Sequence, residues 1–281
     1  MEFLNDLARS ALLQNALLAG LIASIACGVV GSYVVTRRIT YVAGGVAHCT
    51  LGGMGVARYL NEVHGWTALH PLHGAIASAL AAAMIIGWVS LRAKQREDTV
   101  ISALWAIGMA VGILFIARTP GYAEDLMSYL FGNILLVSRG DLFLIVALDV
   151  LVVGLGVLFY NKFLAVCFDS EFARLRGISV EFYYLLLLCL TALTVVVLVM
   201  VVGLVMVIAL LTLPVAVAGH FAGRLWQIML LAIMISIGLT TGGLVLSYDA
   251  ELPPGATMIA LAGALYLLVV AGARLIKRTQ S

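Results

Sequence analysis

The chain has 281 residues, of which 63% are hydrophobic and 11% charged, with a formal net charge of +2. An ordinary soluble domain is about 45–50% apolar and about 25% charged, so one core could not bury this much apolar surface and lipid must cover the remainder. The near-neutral balance offers no basic surface to nucleic acid. Cys27, Cys49, Cys167 and Cys189 contain no C-x-x-C pair, which is neither a disulfide framework nor a zinc-finger spacing.

The first ten residues carry Glu2, Asp6 and Arg9 rather than a basic stretch. The first apolar run is therefore expected to be a retained signal-anchor span, not a cleaved leader. A crossing helix needs about 20 apolar residues. Runs of that kind lie at about 11–35, 42–61, 72–91, 100–118, 142–160, 181–201, 203–222, 225–247 and 256–275. They predict an all-α, polytopic transmembrane bundle forming a single domain over residues 1–281. About nine spans are expected, or eight if a weaker crossing is lost. Tyr183 to Val217 has no charged residue. At about 1.5 Å of rise per residue it is too long for one crossing, and Gly203 is the expected break into a tight hairpin. The short run at 126–137 reads as a re-entrant segment.

Positive residues fix the expected orientation. Arg37 and Arg38, Arg92 to Arg96, Lys162 to Arg176, Arg224, and Arg274 to Arg278 fall on one side of a nine-span chain. Arg58, Arg118 and Arg139 fall on the other. The N-terminus is thus expected outside and the C-terminus in the cytoplasm, with the chain in the cell membrane. No G-x-x-x-x-G-K-[ST] sequence occurs, so ATP has no P-loop here. The absence of H-E-x-x-H argues against an intramembrane zinc protease.

The second run is the most informative. Gly44, His48 and Gly52 share one helix face, with Gly45, Cys49 and Gly53 on the adjacent stripe. Paired rows of small residues permit close backbone approach by another helix. A histidine among them faces protein or a water-filled path, where it either binds a metal ion or hydrogen-bonds a carbonyl as helix glue. Asp149, eight residues into its run, is either a structural carboxyl or a ligand along a path. His64, His70 and His73 cluster near an outer loop and could collect metal weakly or remain solvated; His220 is expected at the inner interface.

The inner loop Phe168–Gly177 holds Asp169 as an N-cap and Gly177 as a stop. Phe172 and Leu175 share one side of the short helix between them, and Glu171 and Arg174 can pair across a turn. Such a helix either rests on lipid headgroups or serves as a handle for a cytoplasmic partner. Asp249 and Glu251, in the outer loop that ends at Pro253-Pro254-Gly255, are solvated or attract a docking protein.

Five segments in order resemble the permease family of zinc- and manganese-type metal ABC transporters. They are Gly31–Arg38 with the His48 span, Pro120–Gly132, Phe168–Gly177, Leu213-Pro214, and Leu246 to Gly255. The resemblance implies a homodimer of permeases and a pair of separate cytoplasmic ATPase subunits. It also implies an extracytoplasmic metal-binding protein that delivers a divalent ion as substrate, with no tightly bound cofactor. It makes Asp169–Gly177 the coupling helix, with Asp169, Glu171, Phe172, Arg174 and Gly177, and His48 the family's intramembrane histidine. The family often has an aspartate one turn earlier, where this chain has Gly44. Asp149 is the acid expected to supply the missing ligand beside His48. Cys49 adds a soft donor, but neighbouring positions point about 100° apart, so one ion cannot easily take both side chains. A stand-alone secondary transporter or cation channel is the alternative function.

Overall fold

In a crossing segment the backbone can pair only with itself, and this chain answers with helices. The computed structural model describes residues 6–7, 9–66, 69–92, 97–120, 134, 137–204 and 207–279. Eleven helices and no strand occur among them. They are α1 (Ala11–Arg37), α2 (Thr40–His64), α3 (Pro71–Arg92), α4 (Glu97–Ala117), α5 (Arg139–Leu158) and α6 (Tyr160–Phe168). There follow α7 (Ser170–Leu175), α8 (Val180–Val202), α9 (Val207–Ala218), α10 (Leu225–Ala250) and α11 (Pro254–Thr279).

Seven of these, α1, α3, α4, α5, α8, α10 and α11, are long and apolar enough to cross a membrane. The nine expected runs exceed that number for two physical reasons. α2 has 25 residues, about 37 Å at helical rise, but its glycines and the polar stretch Arg58 to Glu62 lower its hydropathy. It is enclosed by α3 and α4, and a helix covered by protein need not be apolar towards lipid. α9 has only 12 residues, about 18 Å, too short to cross alone. The break at Gly203 falls where the sequence places it, with φ +82° at the C-cap of α8. The proposed re-entrant run at 126–137 lies, apart from Ile134 and Val137, outside the described residues, as does the Pro120–Gly132 segment beyond Pro120.

α1 and α8 bury most of their length and form the centre; α11 buries little. Around α1 pack α5, α8, α9 and α10, while α8 also contacts α3 and α2. Side-chain bonds tie these layers together. Tyr33 donates its hydroxyl to the Gly156 carbonyl at 2.9 Å, joining α1 to α5, and its ring lies 5.1 Å from that of Phe163 in α6. Ser24 and Thr240 lie 3.3 Å apart and join α1 to α10.

Candidate functional site

α2 holds its place through backbone approach. A Cβ added to Gly52 would lie 2.8 Å from the Gly108 carbonyl oxygen of α4, and one on Gly55 equally close to that of Gly112. On Gly45 it would meet Ile101 of α4 at 2.8 Å; on Gly44 it would meet Ile208 of α9 at 2.8 Å and Trp105 of α4 at 3.2 Å. Gly53 instead abuts the Gly74 carbonyl and the Ser78 hydroxyl of α3. The glycine rows therefore let α2 sit against α3 and α4, with no room for side chains between.

The same contact positions His48. The residue is buried, and its Nδ1 lies 2.8 Å from the Gly44 carbonyl oxygen one turn earlier. A carbonyl can only accept, so Nδ1 carries a proton, and in the neutral imidazole this leaves the lone pair on Nε2. The ring stacks on the indole of Trp105, with centroids 4.1 Å apart and planes 27° apart. Trp105 was not among the residues marked in the sequence. Its signal there is modest: a large aromatic three positions before Gly108, and so on the same side of α4 as the glycine that meets α2. Cys49 is also buried, but its Sγ donates to the Leu104 carbonyl at 3.4 Å and so turns to α4 away from the imidazole's bond to Gly44.

Asp149 has a different setting. It is 5% exposed, and its carboxyl sits beside the Ala26 backbone and within electrostatic reach of Cys27, both on α1. Its Oδ1 has no hydrogen-bond partner. No hydrogen bond or ring contact joins it to His48 among the described residues; those of His48 are to Gly44 of α2 and Trp105 of α4. The described contacts of Asp149 are thus with α1, and those of His48 with α2 and α4. Nor do the outer histidines gather. His64 meets Tyr59 edge-on at 5.8 Å and His70 meets His73 at 6.3 Å. His70 Nδ1 accepts from the Leu72 amide, and no group of three metal-ligating side chains forms among the described residues. His220 is exposed, with Nδ1 2.8 Å from the Ala216 carbonyl oxygen.

The inner loop folds as its sequence predicts. Asp169 Oδ1 accepts from the amides of Glu171 and Phe172 at 3.1 and 2.9 Å, capping α7. At the other end Gly177 adopts φ +72°, its amide donates to the Arg174 carbonyl, and the Ile178 amide donates to that of Ala173. These two bonds are the Schellman pattern, which a left-handed glycine permits without strain. Ala173 is buried while Phe172 and Leu175 are exposed, Leu175 by 87%. Glu171 and Arg174 make no ion pair among the described residues; instead the Arg176 guanidinium lies 4.9 Å from the Phe172 ring centroid. Beside this helix a cleft of about 600 Å³ runs between α6, α7 and the start of α10, bordered by Tyr160, Asp169, Phe172, Arg224 and Trp226. A second groove, of about 620 Å³ and largely apolar, opens between α2, α3 and α4 beside Cys49, Gly52, Gly53 and His73.

A family model described as the ABC 3 transport family matches residues 9–273 of the chain. The chain belongs to that family. The ABC 3 assignment makes it a multi-pass membrane permease, in agreement with its seven apolar helices. An uncharacterised membrane protein of Synechocystis is 43% identical over 259 residues, covering 92% of this chain and 90% of that one. The manganese transport system membrane protein MntC of Halalkalibacterium halodurans is 31% identical, covering 95% of this chain and 89% of its own length. Among solved structures, PsaBC from Streptococcus pneumoniae, in complex with Fab, superposes with a TM-score of 0.84. It is 28% identical and covers 95% of this chain and 94% of the matched one.

Proposed function

We propose that this chain is the membrane-spanning subunit of an ATP-driven importer of divalent metal ions, of the zinc or manganese class. The observation that carries the reading is the buried imidazole of His48, whose Nδ1 is committed to the Gly44 carbonyl, so that in its neutral form Nε2 is the nitrogen left to donate to a borderline metal ion. Membership of the ABC 3 family and similarity to a manganese transport permease support it. A single nitrogen without a neighbouring carboxylate holds an ion weakly, which suits a path that must release what it takes. Water would fill the remaining coordination positions.

Around this path two copies of the chain pair, α2 adds an eighth crossing and α9 counts as a ninth only as a partial one, and the N-terminus lies outside. The apolar groove between α2, α3 and α4 suits a covering helix from the second copy rather than a hydrated ion. A separate ATPase dimer supplies the energy, since the chain has no P-loop, and an extracytoplasmic binding protein delivers the ion. The capped helix α7, with Phe172 and Leu175 outward, is the coupling contact through which the ATPase acts. The stand-alone transporter is disfavoured by the family to which the chain belongs.

Reconstitution in liposomes tests this directly. Uptake of manganese or zinc is expected only when a cognate ATPase and ATP are present, and His48→Ala is expected to remove it. Uptake by the purified chain alone, without ATP, would overturn the proposal.

A further inference from the structure

Several hydroxyls inside this bundle share one habit. Ser24, Ser32, Thr191, Thr194 and Thr212 each donate to the carbonyl four residues earlier in their own helix, at 2.6–2.8 Å. Others, such as Thr50 and Ser247, find a different carbonyl, but Ser236 of α10 finds none. Its side chain is 0% exposed, and its Oγ has no hydrogen-bond partner. A hydroxyl removed from water and left unpaired loses its solvation with nothing in return.

Ser236 borders an internal cavity enclosed by α1, α8, α9 and α10, with about 10 Å³ open to the centre of a water molecule. That is about the space one buried water requires. The other polar groups on its wall are Ser24, Cys27 and Thr240; Leu198 and Leu210 help to close it, and all of these are buried. The Ser24 hydroxyl already donates to the Gly20 carbonyl at 2.7 Å and lies 3.3 Å from Thr240 Oγ1. A hydroxyl has one proton and two lone pairs, so Ser24 and Thr240 retain acceptor capacity while Ser236 retains an unused proton.

We infer that this cavity holds one resident water molecule, which accepts from Ser236 and donates to Ser24 and Thr240. The wall meets the requirement of two to four polar partners for a buried water. A cation in its place would be stripped of its shell with no carboxylate on the wall to offset the loss. An empty cavity would leave Ser236 unsatisfied. The bound water is thus a polar joint between α1 and α10, at a level where Gly20 lets Thr240 approach closely. The site is separate from His48 and stands whatever ion the path carries.

Radiolytic hydroxyl-radical footprinting of the full chain in lipid nanodiscs tests the inference, because radicals form at bound water and oxidise adjacent sulfur. Cys27 lines the cavity and is 2% exposed, whereas Cys167 is 6% exposed and does not line it. Cys27 is expected to be oxidised faster than Cys167, and to fall to the Cys167 level in Ser236→Val, whose extra methyl groups displace the water. A wild-type Cys27 rate no higher than that of Cys167 overturns the inference. Thermal unfolding of Ser236→Ala gives a second test that needs no labelling. A hydrated cavity predicts a lower midpoint, because the water loses a partner; a dry one predicts a higher midpoint, because an orphaned hydroxyl is removed, and that result refutes the water.

Discussion

Replacing Gly52 by alanine tests how α2 is held against α4. The new Cβ would stand 2.8 Å from the Gly108 carbonyl oxygen and 3.4 Å from Gly108 Cα. Carbon–oxygen contacts across helix interfaces settle at about 3.3–3.6 Å, so the two backbones must part by roughly 0.5–0.8 Å. Both obstructing atoms belong to helical backbone, which cannot rotate away as a side chain would. Overpacking of this kind costs about 1–3 kcal/mol. Glycine to alanine also raises helix propensity by about 0.8–1.0 kcal/mol, which would partly mask the effect. Gly154→Ala on α5 provides the correction, since a Cβ there meets nothing within 4 Å. The expected result is that Gly52→Ala unfolds at a lower temperature than Gly154→Ala in the same detergent, the gap corresponding to about 1–3 kcal/mol. Metal uptake should fall as well, because Gly52 lies one turn from His48, and the His48–Trp105 stack spans the same interface. A Gly52→Ala protein as stable as Gly154→Ala would refute the close approach of α2 to α4.

The remaining tests address single side chains. Asp149→Asn is expected to keep metal uptake near the wild-type rate, because its carboxyl sits beside α1, whereas His48→Ala should lose it; comparable losses in both would restore a shared site. Asp169→Ala removes two amide contacts from the first turn of α7 and should destabilise that turn by about 1 kcal/mol. ATP hydrolysis in the assembled transporter should then continue while uptake drops, and unchanged coupling would point to a helix that merely rests on lipid. Charge reversal at Glu171 or Arg174 should also uncouple without unfolding, since neither forms an ion pair among the described residues whose loss would matter, as circular dichroism of the variants can check. Burial pushes the Cys167 thiol up to about 12, with Arg37 opposing the shift. The thiolate that reacts with maleimide is therefore nearly absent at about pH 7–9. Labelling is expected only after denaturation, and rapid labelling of the native protein would contradict that burial.

The sequence by itself determined the class of the protein and much of its local structure. Continuous apolar runs can only be satisfied as helices in lipid, so the all-α bundle followed from composition and length. Local chemistry was legible for the same reason: Asp169 caps the helix that begins next to it, and Gly177 and Gly203 adopt the positive φ that their positions demand. The paired glycine rows of α2 likewise announced a close contact, because spacing along one helix fixes which residues share a face. Span counting was less secure, since hydropathy measures exposure to lipid. α2 is wrapped by α3 and α4, and α9 is cut short between Gly203 and Gly219, so neither meets the length and hydropathy that the other seven satisfy. Relations between distant segments were decided only by the tertiary structure. Depth along a helix places His48 and Asp149 within a membrane but leaves rotation about the axis open. Packing turned the first towards Trp105 and the second towards Ala26. Trp105 against His48, and Ser24 of α1 on the wall of one cavity with Ser236 of α10, bring together residues far apart in the chain, and no spacing rule within one helix could have joined them.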